Sequence, residues 1–169
     1  MTNLSEHFTE EEFIYSDTAK RYGINNSMTP IHRKIAVHTC QYLLEPLRDL
    51  LNKHYGCKVI MNLNSGYRSA ALNAKIPGAS STSQHCKGEA ADISCYKVIN
   101  KLKIKIQPLE IYNLIKTWVK QGRLSVDQCI YEVSGGAIWV HVSHSNAGKT
   151  RDRRQFLRYN NGKYTLDNN

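Results

Sequence analysis

His85 and Asp92 stand seven positions apart in SQHCKGEAAD, residues 83–92, with a glycine and small alanines between them. A histidine nitrogen and a carboxylate oxygen both ligate divalent metals at about 2 Å, so the two atoms must come within roughly 4 Å of each other to share an ion. Seven residues of helix advance about 10 Å, and seven extended residues span over roughly 20 Å. Neither brings the pair together; a loop that turns back and then enters a strand does. Gly88 can make that turn, because glycine tolerates positive φ. Ala90 and Asp92 would then share one strand face, with Ala91 and Ile93 on the other. Small Ala90 leaves space where Asp92 points. The spacing admits a shared site, and it also admits a polar surface loop.

The chain has seven histidines. His32, His38 and His54 fall among charged residues on one long helical stretch and His7 lies near the N-terminus, so these read as structural or solvated. In IWVHVSH, Trp139, His141 and Ser143 share one strand face, while Ile138, Val140 and Val142 share the other. The apolar face belongs to the core, which makes His141 the better third ligand and His144 a packing or hydrogen-bonding residue. Glu132 ends the preceding strand, across a short hairpin. A glutamate beside a metal-activated water is a suitable general base; a glutamate at a hairpin end is also an ordinary surface acid. Arg68, in SGYRS, could bind a substrate carboxylate or stabilise charge on a carbonyl oxygen, yet with 23 basic residues composition does not single it out. Cys86 and Cys95 read as a loop residue and a small strand hydrophobe rather than extra soft ligands.

Positioning these groups falls to a small set of elements. FTEEEFIYS (8–16) reads as a short helix. A longer helical stretch starts at Pro30 and runs to Tyr55, closed by Gly56; Pro46 predicts a kink or a division into two helices. KVIMNL (58–63) alternates as a strand does. ALNAKI (71–76) allows one or two helical turns before Pro77–Gly78, and AADISC (90–95) reads as a short strand. PLEIYNLIKTWVKQG (108–122) is an amphipathic helix with Pro first and Gly last. DQCIYEV (127–133) and AIWVHVS (137–143) form a hairpin across SGG, and RQFLRY–NNG–KYTL forms a second. Helices come first and a small, largely antiparallel sheet follows, so the expected class is α+β. Residues 1–169 read as one domain, with 1–29 an N-terminal segment packed on it and 149–169 a basic C-terminal hairpin or tail.

The totals set the frame. At 169 residues with 41% hydrophobic, the chain can bury a core. No run approaches a membrane span, and MTNLSEHFTEEEF lacks the pattern of a signal peptide, so cytoplasmic synthesis is expected. Five cysteines with no C-x-x-C pair read as free thiols. A net charge of +9 favours a polyanionic neighbour: nucleic acid, an anionic cell wall or a membrane surface. The basic run KTRDRRQFLR (149–158) has few interleaved aromatics and belongs to no nucleic-acid motif, so no specific nucleic acid is expected. The oligomeric expectation is a monomer.

SQHCKGEAAD fits S-x-H-x-x-G-x-A-x-D at Ser83, His85, Gly88, Ala90 and Asp92. With SGYRS and then L-N around it, WVH downstream, and HFTEEEFIYSDTAKRYGI at the start, the chain resembles the zinc D-Ala-D-Ala carboxypeptidases and related peptidoglycan endopeptidases, metallopeptidase family 15. The nearest branch is the short carboxypeptidase-like one common in phage and prophage genomes. The resemblance implies one zinc ion on His85, Asp92 and His141 with the fourth position open to water, substrate contacts at Ser83 and Arg68, and the small α+β fold shared with the hedgehog N-terminal domain. It implies a peptidase cutting the peptide stem of peptidoglycan at a D-Ala-D-Ala or L-Ala-D-Glu type bond, acting at the anionic cell wall after release or as part of a virion. One position departs from the pattern. Many members carry the catalytic acid three residues before the last ligand histidine, where this chain has Ile138; others carry a histidine two residues before it, where this chain has Trp139. The hedgehog-like arrangement instead places a glutamate in a Tyr-Glu pair on the preceding strand, which Tyr131–Glu132 fits. Glu132 is therefore the expected base, and Trp139 lines the cleft or is a half-buried sheet aromatic. The competing expectation is a non-catalytic zinc-binding module of a virion.

Overall fold

The computed structural model describes residues 2–145 and 152–167. Thr9 caps the first helix, α1 (Glu10–Ile14), in a capping box with Glu12. Ser16 and a left-handed Gly23 bracket α2 (Asp17–Tyr22). Thr29 caps α3 (Pro30–Thr39). The stretch then passes through one π-helical turn, Cys40–Leu44, into α4 (Glu45–Tyr55). The wide turn has a local cause: Pro46 has no N–H to offer the preceding turn, and the Glu45 N–H bonds Cys40 O, five residues back. The expected division at Pro46 thus takes the form of a π turn inside a continuous rod.

After Gly56 come β1 (Val59–Ser65), α5 (Ala70–Asn73), β2 (Ala90–Ile99), β3 (Leu102–Lys105), α6 (Pro108–Lys120), β4 (Gln128–Ser134), β5 (Ala137–Ser143), β6 (Gln155–Asn160) and β7 (Lys163–Leu166). The strands form one sheet in the order β1-β2-β5-β4-β6-β7, with β3 on the C-terminal half of β2. Its pairs are antiparallel except β4 with β6. The class is α+β, as the order of elements predicts.

The two faces of the sheet differ in chemistry. Ala91, Ile93 and Cys95 of β2, Cys129 of β4, Val140 and Val142 of β5 and Phe156 of β6 join one core cluster with leucines of the α3–α4 rod and with Ile111, Ile115 and Trp118 of α6. Each fully buried Leu or Ile contributes about 1.5–3 kcal/mol relative to exposure, which fixes this face inward and so fixes the register of every strand. The alternate residues, Asp92, Glu132 and His141 among them, project from the other face. Near the N-terminus, Leu4, Phe8 and Phe13 are buried in the same cluster, so this segment is packed on the core. The five cysteines carry free thiols.

Candidate active site

The ligand loop is built around Gly88. A 3₁₀ turn, Gln84–Lys87, ends there at φ +80°, and the Gly88 N–H reaches back to Gln84 O and His85 O. A Cβ at Gly88 would lie 2.8 Å from His32 O, so the loop packs against α3 closer than a side chain permits. Thr39 Oγ1 donates to Gly88 O at 2.9 Å and ties the turn to that helix. The chain then enters β2, where Asp92 pairs across with His141 of β5. The expected turn-back followed by a strand is the conformation found.

Three electron-rich atoms converge as a result. His85 Nε2 and His141 Nδ1 are 3.2 Å apart, His141 Nδ1 and Asp92 Oδ1 3.0 Å, and His85 Nε2 and Asp92 Oδ1 3.3 Å. A tetrahedral zinc with bonds of about 2.0 Å has ligand edges of about 3.3 Å. The triangle therefore fits the base of such a site. Among the described residues, this trio is the group of histidine, cysteine and acid side chains that could hold a metal ion; Cys86 and Cys95 are not part of it. All three residues are buried. Two lone-pair nitrogens and a carboxylate oxygen facing one another in a dry place need a cation or protons between them.

Neighbouring groups fix the ligand chemistry. His85 Nδ1 donates to Gly66 O at 2.6 Å, which leaves the Nε2 lone pair directed at the site. Gly66 is there because Phe13 leaves no room: an added Cβ would lie 2.4 Å from Phe13 O. Arg68 Nη2 donates to the outer oxygen of Asp92, Oδ2, at 3.0 Å, and its Nε to Ser65 Oγ. Burial works to raise the Asp92 carboxyl, but His85 and His141 hold it well below the usual carboxylate range. Burial also pushes His85 below its ordinary value, so the ring favours the neutral form. An ionised aspartate and a neutral histidine are the forms that bind a cation.

The triangle opens into a cleft of about 630 Å³, lined among others by Arg68, Ser83, Glu132 and Trp139. Glu132 sits opposite Trp139 in the β4–β5 ladder, two residues before the strand end. Burial first, and the Asp92 charge second, push its carboxyl up to about 7, against the opposing pull of His141 and Arg68. Trp139 is half-buried and lines the cleft, with a buried indole N–H that finds no partner among the described residues. His144 stands apart from the cluster: its Nδ1 is 2.6 Å from Asp152 Oδ2 and its ring stacks on His38.

Asp127 has a positioning role that its local sequence does not signal. It is buried and accepts from Gln84 Nε2 at 3.0 Å and from Arg153 Nη2 at 2.6 Å, clamping the ligand turn to the start of β4. Its partners lie far away in sequence, so only the fold assembles the clamp. The basic run is also partly committed: Arg153 pairs with Asp127 and Arg158 with Asp167, while Lys149 to Arg151 lie outside the described residues. Two tyrosines of the second hairpin, Tyr159 and Tyr164, complete the cleft wall.

Residues 6–112 match the protein-family model described as Peptidase M15, a span that contains Arg68, Ser83, His85 and Asp92. No curated protein and no solved structure matches the chain.

Proposed function

This chain belongs to the Peptidase M15 family, a family of zinc metallopeptidases, and from that premise we propose that it hydrolyses amide bonds in the peptide stem of bacterial peptidoglycan. The observation that carries this reading is the His85–Asp92–His141 triangle, at the edge lengths of a tetrahedral metal site, opening into the cleft that Glu132 lines.

Zinc on those three residues would supply a Lewis acid that acidifies water and polarises the scissile carbonyl. Arg68 holds Asp92 by Oδ2, which keeps Oδ1 turned toward His85 and His141. Glu132 takes the proton of the attacking water and returns it to the leaving amine. Burial and the Asp92 charge push its carboxyl up to about 7 in the metal-free protein, and a zinc charge at Asp92 would draw it back toward the ionised form that accepts that proton. The Arg68 guanidinium, at the cleft edge, adds positive charge where the carbonyl oxygen or a substrate carboxylate would lie. Ser83 and Trp139 line the path of the peptide.

We read the whole chain as one peptidase domain, because the N-terminal Phe13 backs Gly66 while the C-terminal hairpin walls the cleft, and we take it to work as a monomer. The bond cut is of the D-Ala-D-Ala or L-Ala-D-Glu type, and the setting is a phage or prophage wall-lytic protein whose positive charge keeps it near anionic wall polymers. The test is Glu132→Gln. Wild type and variant are both expected to hold zinc one-to-one, and the variant to lose peptide hydrolysis by about 10²–10⁴-fold. Hydrolysis at the wild-type rate would remove Glu132 from the mechanism.

A further inference from the structure

The hairpin β6–β7 brings two tyrosines into the cleft that the mechanism above leaves without a role. Register across the sheet lines them up with the site: Asp92 faces His141, Glu132 faces Trp139, Tyr159 lies beside Glu132, and Tyr164 faces Tyr159. Laterally paired residues project from the same face of a sheet, and alternate residues of β5 put Trp139 and His141 on that face together. The opposite face of β6 carries Phe156, packed against Tyr112 of α6. Tyr159 and Tyr164 are thus turned away from the core and toward the cleft that holds His85, Asp92 and His141.

The two rings divide the work. Tyr159 reaches across to the loop on the far side, where its hydroxyl lies 3.8 Å from the place a Cβ at Gly78 would occupy. It closes that end of the cleft. Tyr164 rests on it, ring centroids 4.7 Å apart at 49°, and is 56% exposed. Strands lie about 4.8 Å apart, which puts the Tyr164 backbone about 10 Å from Glu132, two strands away. Both residues project into the same cleft, and the phenol feels the charges of Glu132, Asp92 and Arg68. Burial, then the Glu132 charge, raises its pKa, so the hydroxyl keeps its proton and remains a donor. The hairpin also lies beyond the segment that matches the family model.

We propose that Tyr164 is a substrate-contacting residue, whose hydroxyl donates a hydrogen bond to a carbonyl or carboxylate oxygen of the peptide held beside Glu132, on a platform made by Tyr159. This rests on the peptidase reading. The experiment is Tyr164→Phe in the full chain, which removes the hydroxyl and keeps the ring on Tyr159. In the zinc-loaded protein kcat/KM for a peptidoglycan stem pentapeptide, which contains both bond types, should fall about ten- to hundredfold, and in the metal-free protein calorimetric affinity for that peptide should weaken about tenfold. The melting temperature and zinc content should stay at wild-type values. Tyr164→Ala, which also removes the platform contact, should be at least as impaired. If the wild type cleaves peptide and Tyr164→Phe matches it within about twofold in both measurements, this inference fails while the peptidase reading stands. A wild type that neither binds nor cleaves stem peptides overturns both.

Discussion

Burial and the Asp92 charge push the Glu132 carboxyl up to about 7 from an ordinary 4.5, and that shift has a sign in stability as well as in rate. Between those two values the folded protein holds a proton that the unfolded chain releases. Its contribution to stability is therefore full below pH 4.5 and is lost as pH rises through 7. His85 runs the other way: its depressed pKa costs stability as pH falls below 6.5. Comparing the metal-free wild type with Glu132→Gln isolates the carboxyl. Denaturant melts at pH 5 and pH 8 should show a larger loss on raising pH in the wild type than in the variant; equal losses would mean that Glu132 titrates at an ordinary value. Much of this site can be read along the chain. The spacing of His85, Gly88 and Asp92 demands one turn and the residues to make it, and strand parity selects His141 over His144. The perturbed Glu132 is not readable there, because its causes are burial in the assembled cleft and, second, a charge on a strand two places away in the sheet. Asp127 is hidden for the same reason.

At the level of elements, the ligand loop depends on a glycine that must be both left-handed and bare. Gly88→Ala forces φ +80° on an L residue and drives a Cβ to within 2.8 Å of His32 O. It should cost at least about 1–3 kcal/mol of stability and weaken zinc binding, because His85 and Asp92 lie on either side of the turn. Thermal unfolding and zinc titration check this together, and a variant with wild-type values in both would contradict the loop account. Elements with an apolar face were legible: α6, β4 and β5 appear where their periodicity puts them. β3 escaped, since all its residues are exposed and its turn uses Asn100 and Lys101, both at positive φ without a glycine to mark it. α2 escaped although Ser16 and Gly23 are clear caps, because its six residues bury only Ala19 and give no apolar stripe. The parallel pairing of β4 with β6 joins segments more than 20 residues apart, and no local pattern encodes it.

On the scale of the whole molecule, one sheet separates a packed face from a reactive face, and a net charge of +9 surrounds both. Among the described residues no helix is long and apolar enough to cross a membrane. The charge predicts adsorption to anionic wall material that weakens steeply as salt rises, since screening shortens the Debye length from about 30 Å at 0.01 M to about 10 Å at 0.1 M. A pull-down on purified wall across that range checks it, and salt-independent adsorption would point to a specific binding patch instead. Bond cleavage is measured most directly by mass spectrometry of peptides released from purified peptidoglycan by the zinc-loaded protein. Stem fragments with new amino and carboxyl ends are the predicted result, with none after chelation or from Glu132→Gln. No release from any of several wall types, by a protein shown to carry one zinc, would contradict the account and leave a metal-binding module without catalysis.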